Sequence, residues 1–211
     1  MPATRTTYVS PERLPGWLDR FAAGNGELVL TPEHGGLHLA AANGAEAEIL
    51  APWPDDGRPG RGTNDVERLV SLAGQSRTLG IVLLRRGGYA AGVARDGLLL
   101  ASKAGTRYVQ SRTAAGGGSQ QRFARRRSNQ ADALVQTAAE QAARIFTDQQ
   151  PEYLVFGGDR ALTELLANER IFQPWSGLAR LRPLHVQDPK LAVLARAAKD
   201  AASVFIRITV P

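Results

Sequence analysis

The order of apolar segments after residue 77 restricts the fold most. Segments 78–84, 89–94, 97–101 and 106–110 are rich in leucine and β-branched residues, and turn chemistry at 86–88 and at Asp96-Gly97 separates them. Such a run reads as an antiparallel meander. A long helix is then expected over 121–147, because Leu134, Ala138, Ala142 and Ile145 recur at helical spacing. The remainder alternates. A strand at 153–156 precedes a helix capped by Asp159 and carrying Leu162, Leu165 and Leu166. A strand at 181–186 precedes a helix opened by Asp188-Pro189 and carrying Leu191, Leu194, Ala195 and Ala198. Residues 204–210 close the chain as a third strand. Strands alternating with helices imply parallel pairing through crossovers. The expected class is therefore α/β: a mixed sheet flanked by helices on both faces.

Upstream, Ser10 and Pro11 read as cap and first residue of a short helix bearing Trp17, Leu18, Phe21 and Ala22, ended by Gly24-Asn25-Gly26. Strands are expected at 27–30, 36–41 and 45–50, with Asn43-Gly44 as a hairpin signature. The stretch 51–63, rich in proline, glycine and charge, reads as a boundary or mobile connection. Asn64 with Glu67 then forms a capping box for a helix through Val66, Leu69, Val70 and Ala73. The division expected is residues 1–63 as an N-terminal helix with a small β extension, and 64–211 as the functional domain.

Charge narrows the function. The chain has 26 basic and 20 acidic residues, a net +6. Between Lys103 and Arg127 lie seven cations, Lys103, Arg107, Arg112, Arg122, Arg125, Arg126 and Arg127, and no acid. Outside that segment the balance is 19 basic against 20 acidic, so 25 residues hold the whole positive excess. Cations around a glycine cluster without compensating acids point to a polyanion contact. The absence of cysteine removes disulfides, thiolate nucleophiles and cysteine-based zinc sites. His34, His38 and His185 are scattered, so no metal site is read and no cofactor is expected. No apolar run approaches the roughly 18 residues that cross a bilayer, and the first residues lack the apolar centre of a secretory signal. A cytoplasmic monomer that engages no membrane is the expectation.

The segment 112–121 joins a strand to the long helix. Gly116, Gly117 and Gly118 are consecutive, and no side chain from 114 to 118 exceeds a methyl group. Such backbone can enter a narrow space or approach another chain closely. It is not a phosphate-binding P-loop, which needs a lysine followed by serine or threonine, because Ser119-Gln120 follows the glycines. Nor is it a hydrolase elbow, since Gln121 stands where a glycine is required after Ser119. The meander carries Arg85, Arg86, Arg95 and a single acid, Asp96, too few for a metal-dependent nuclease. What remains is an amide at a small-residue tip. A glutamine is too weakly basic to act as a general base, but it can orient a water molecule by donating and accepting together. Glycine-freed N–H groups can stabilise developing negative charge. A plain flexible linker has the same composition.

The run Gly-Gly-Gly-Ser-Gln-Gln-Arg-Phe-Ala-Arg-Arg-Arg, from Gly116 to Arg127, resembles the Gly-Gly-Gln loop and following helix of eukaryotic and archaeal class 1 release factors. The serine before the glutamine looks like the Gly-Gly-Ser-Gln version of the Vms-like release factor family, and the chain resembles its stand-alone bacterial members. The resemblance implies the RNase H-like mixed sheet of the release-factor middle domain. It also implies entry of the loop into the peptidyl transferase centre of the large ribosomal subunit, with rRNA and peptidyl-tRNA as partners. The expected activity is peptidyl-tRNA hydrolysis on stalled ribosomes. By position, Gly117, Gly118 and Gln120 match the motif around Ser119, and Arg122, Phe123 and Arg125 match the helix start. Aligning on Arg-Phe-Ala-Arg alone would put the glutamine at Gly118; the Gly-Gly-Ser-Gln pattern selects Gln120, with Gln121 as the alternative. The same resemblance permits cleavage of the tRNA near its 3′ end. A non-catalytic ribosome-rescue binding factor is the reading from another class.

Overall fold

The computed structural model describes residues 3–33, 35–106 and 119–211, with 119–129 as helical backbone alone. The chain forms two compact units, residues 1–76 with 199–211, and residues 77–198. Each has its own sheet and its own apolar core.

The first unit holds an all-antiparallel sheet of five strands in the order β1-β9-β4-β3-β2. These are β1 (Ala3–Val9), β2 (Leu28–Glu33), β3 (Gly36–Ala41), β4 (Glu46–Leu50) and β9 (Val204–Val210). Alternation puts Leu37 and Leu39 of β3, Ala47 and Ile49 of β4, and Val204, Ile206 and Ile208 of β9 on one buried face. Helix α1 (Leu14–Asn25) adds Leu14, Leu18 and Phe21 to this core, and α2 (Asp65–Ala73) adds Leu69 and Ala73. Asn43-Gly44 makes the expected hairpin, with Gly44 at φ +84° and Gly44 N–H donating to Ala41 O. The capping box also forms, Asn64 Oδ1 accepting from Glu67 N–H at 2.9 Å. Ser10 instead precedes a 3₁₀ turn at Pro11–Arg13, and its hydroxyl donates to Glu12 rather than accepting from backbone.

Two expectations change here. The last strand is not a third parallel strand of the alternating region: β9 pairs antiparallel with β1 and β4. Its alternation, Val204, Ile206 and Ile208 inward with Arg207 outward, fits a sheet with one covered face. The stretch 51–63 is no mobile connection. Thr63 N–H and Oγ1 both donate to Glu67 Oε2 at 2.7 Å, Arg61 N–H donates to Ser71 Oγ, and Gln75 Nε2 donates to Pro59 O. Gly60 lies so close to α2 that an added Cβ would fall 1.9 Å from Arg68 O. The polar composition that suggested mobility supplies the bonds that fix it.

The second unit carries the meander: β5 (Thr78–Arg85), β6 (Gly88–Arg95) and β7 (Leu98–Thr106), antiparallel in turn, with β8 (Tyr153–Gly158) parallel to β5. The sheet order is β7-β6-β5-β8. The strand expected at 97–101 is part of a longer β7 that runs to Thr106; of the strand expected at 106–110, residues 107–110 lie outside the described residues. Asp96 (φ +52°) and Gly97 (φ +74°) give the mirror-image turn that matches strand twist. Segment 181–186 forms no regular strand. It lies along β8 through parallel bridges at Leu154–Arg180 and Gly157–Leu184, because Pro183 has no N–H to continue a ladder.

Helix α3 (Ser119–Gln149) covers one face of this sheet with α4 (Arg160–Asn168) and a 3₁₀ segment, Arg170–Trp175. Leu134, Ala138, Ala142 and Phe146 are buried there against Val82, Leu84, Ala91, Val93, Leu154 and Phe156. Gly80 must lack a side chain, because a Cβ would stand 2.7 Å from the Phe146 ring. Leu194 of α5 (Leu191–Ala201) lies against Gly92 on the opposite face. The second unit is thus a mixed sheet with helices on both faces.

Candidate functional site

The basic glycine segment joins β7 to α3. Strand β7 ends at Thr106 and α3 begins at Ser119. Gly117, Gly118, Arg107 and Arg112 fall between them, outside the described residues. Ser119 and Gln120 are the first two residues of α3, and Arg122, Arg125, Arg126 and Arg127 occupy its next turns. The helix starts two residues earlier than the apolar periodicity indicated, because that periodicity marks only the part packed on the sheet.

Position at a helix start has chemical content. The first four N–H groups of a helix have no intrahelical acceptor, and the aligned peptide dipoles place about half a positive charge there. As the second described residue of α3, Gln120 lies toward this helix end, a setting that favours negative charge. At ~1.5 Å per residue, Gln120 is about 21 Å along α3 from Leu134, the first fully buried residue among those of the helix whose side chains are described. The acids of α3, Asp132, Glu140 and Asp148, all lie beyond residue 131. The helix is thus cationic toward the glycine segment and apolar on its inner face where it is anchored.

The other end of the segment is also defined. Gly105 pairs with Tyr89 across β7 and β6, and a Cβ at 105 would stand 2.6 Å from the Tyr89 ring. The buried ring therefore lies over the backbone just before the chain leaves β7. Burial pushes the Tyr89 phenol above its ordinary value of 10. Lys103, opposite Ala91, is exposed and makes no ion pair among the described residues.

Other residues have structural roles. Trp17 stacks on Phe21 at 5.1 Å, Trp53 Nε1–H donates to Ala73 O, and Trp175 packs edge-on to Phe146. Gly157-Gly158-Asp159-Arg160 is a turn and cap: Gly158 has φ +99°, and Asp159 accepts from Ala161 and Leu162 N–H. His38 is on the open face of the first sheet with Nε2 3.8 Å from Glu46; His34 lies outside the described residues. Among the described residues no cluster of three or more potential metal ligands occurs, and no helix is long and apolar enough to cross a membrane.

Register exposes residues that linear reading left apart. Thr106 pairs with Gly88, Gly88 with Arg85, and Leu84 with Gly158. Arg86 and Arg160, 74 positions apart, therefore stand at the end of the sheet where β7 delivers the chain to the glycine segment.

The family model for the Actinobacteria/chloroflexi VLRF1 release factor matches residues 77–207. The match begins at the first residue of the second unit, spans all of it and runs into β9. By class the matching family is one of release factors. The chain belongs to the VLRF1 release factor family of Actinobacteria and Chloroflexi. No curated protein matches it. Among solved structures, an archaeal protein is similar at 12% identity and a TM-score of 0.40, covering 75% of this chain and 48% of the other. The archaeal translation termination factor aRF1 is similar at 12% identity and a TM-score of 0.34, covering 82% and 48%. The chain thus spans about half the length of these relatives.

Proposed function

We propose that the chain frees nascent peptides from peptidyl-tRNA on stalled ribosomes by ester hydrolysis, with Gln120 orienting the attacking water. The observation that carries the reading is the place of Gly-Gly-Ser-Gln: it immediately precedes and opens α3 inside the region matched by the release-factor family. An aminoacyl ester is already activated, so positioning a water and stabilising an oxyanion supply the needed rate. Gly117 and Gly118 allow close approach to the ester in the peptidyl transferase centre. Ser119 sets the spacing between them and Gln120. Lys103, Arg107, Arg112, Arg122, Arg125, Arg126 and Arg127 contact rRNA and tRNA phosphates. The unit formed by residues 77–198 carries the activity, acting as a monomer among cytoplasmic ribosomes and without a metal or cofactor.

The test is incubation with ribosome-bound peptidyl-tRNA, resolving peptide and tRNA. Wild type should release peptide and leave the tRNA full length, whereas Gln120→Ala should bind ribosomes normally and release little. A shortened tRNA bearing a cyclic phosphate would instead assign the segment to strand cleavage. Binding without either product would make the chain a non-catalytic rescue factor. Full activity of Gln120→Ala with loss in Gln121→Ala would move the role by one residue.

A further inference from the structure

The acids at the end of the second sheet are already engaged. Asp159 accepts from the Ala161 and Leu162 amides, and Glu164 pairs with Arg180 at 3.1 Å. Arg86, in the β5–β6 turn, and Arg160, at the start of α4, are exposed. Neither side chain has an ion-pair or hydrogen-bond partner among the described residues. Both follow by two residues the paired positions Leu84 and Gly158 on adjacent strands, which are ~4.8 Å apart. Asp159 N–H donates to Leu84 O at 2.8 Å and fixes this arrangement. Arg160 also lines a cleft of about 380 Å³, with Gly157, Gly158, Thr163 and the Arg180–Glu164 pair among others. The Arg180 guanidinium is held 5.1 Å from the Phe156 ring centre.

We infer that this end of the sheet, centred on Arg86 and Arg160, is a second RNA-phosphate contact surface that extends the basic footprint of the glycine segment. The inference rests on the ribosomal reading above and adds a surface outside the 25-residue basic run. Two exposed guanidinium groups without a partner among the described residues, one in a strand turn and one at the first residue of a helix, suit a phosphodiester backbone. Thr106 is in the same row of cross-strand pairs, two strands from Arg85. A strand of RNA engaging the glycine segment therefore reaches this patch without leaving one end of the sheet.

The experiment measures binding to purified large ribosomal subunits from 50 to 200 mM salt, for wild type, Arg86→Glu/Arg160→Glu and the control Arg20→Glu/Arg144→Glu. The control residues are exposed arginines on α1 and on the packed part of α3. Loss of two phosphate contacts should weaken binding at 50 mM and make the fall in affinity over this range about tenfold smaller than in wild type. The control should retain the wild-type slope. Equal slopes for the patch variant and wild type, or equal losses in patch and control variants, would overturn the inference. Thermal melting of the second unit serves as the folding check, and Arg86→Gln/Arg160→Gln gives the same decision should the glutamates unfold it. Peptide release keeps the two readings apart: a wild type that binds but releases nothing defeats ester hydrolysis while leaving the patch intact.

Discussion

Gly80 and Phe146 provide the sharpest test of how α3, and with it the glycine segment, is held. Phe146 is fully buried, 5.8 Å from both the Phe172 and Trp175 rings. Three of its ring atoms lie 2.7, 2.9 and 3.1 Å from the position a Cβ at residue 80 would take. A ring wedged in this way cannot swing aside, so Gly80→Ala should cost about 1–3 kcal/mol through overpacking. Phe146→Ala should cost about 3–5 kcal/mol. In the Phe146→Ala background the obstruction is gone. There Gly80→Ala should instead stabilise by about 0.5–1 kcal/mol, because alanine loses less backbone entropy than glycine on entering a strand. The sign of one substitution therefore reverses with the state of the other, a coupling of roughly 1.5–4 kcal/mol. Urea unfolding monitored by hydrogen exchange at the β5 amides reads the second unit alone. Equal destabilisation by Gly80→Ala in both backgrounds would refute the contact and the seating of α3 on β5.

Four further outcomes can be measured. Gly158→Ala should destabilise by about 1–3 kcal/mol through its positive φ, and by more from a Cβ placed 2.2 Å from Leu84 O; Gly87→Ala, with nothing within 4 Å, should change unfolding by less than about 0.5 kcal/mol. Asn64→Ala should cost about 1 kcal/mol in thermal unfolding through loss of the α2 cap. Hydrogen bonds from the Thr63 backbone and hydroxyl hold the Glu67 carboxyl below its ordinary value of 4.5. Its contribution is therefore complete above that value and is lost as pH falls through the depressed one; Glu67→Gln should flatten that part of the acid-stability curve. Reversing Arg125, Arg126 and Arg127 to glutamate should weaken ribosome binding and reduce its salt dependence, and unchanged binding at low salt would contradict their phosphate role.

Much of the second unit was legible in sequence because its signals are local. Leucine- and β-branched-rich strand runs, Asp96-Gly97, the Asp159 cap and the leucine–alanine stripe of α3 each specify their element without help from distant residues. The strand at 204–210 was legible as a strand, but its sheet was not. Period-two alternation determines which face is buried, whereas partners in β1 and β4 are set by packing across nearly the whole chain. Strand β1 carries no clear alternation and only weak burial, so it emerges solely from pairing with β9. The stretch 51–63 misled because composition does not reveal that its polar groups find acceptors on α2. At the candidate site, the basic run and the glutamine were readable as contiguous sequence. Arg86 and Arg160 were not, since only the β5–β8 register brings their positions together.

The central claim is that Gln120 promotes peptidyl-tRNA ester hydrolysis. Single-turnover release from ribosome-bound peptidyl-tRNA, with wild type and Gln120→Ala compared at saturating protein, tests it most directly. Wild type should release peptide with the tRNA 3′ end intact, and the variant should lose rate without losing ribosome binding. Release by Gln120→Ala at the wild-type rate, or a truncated tRNA as the wild-type product, would contradict it.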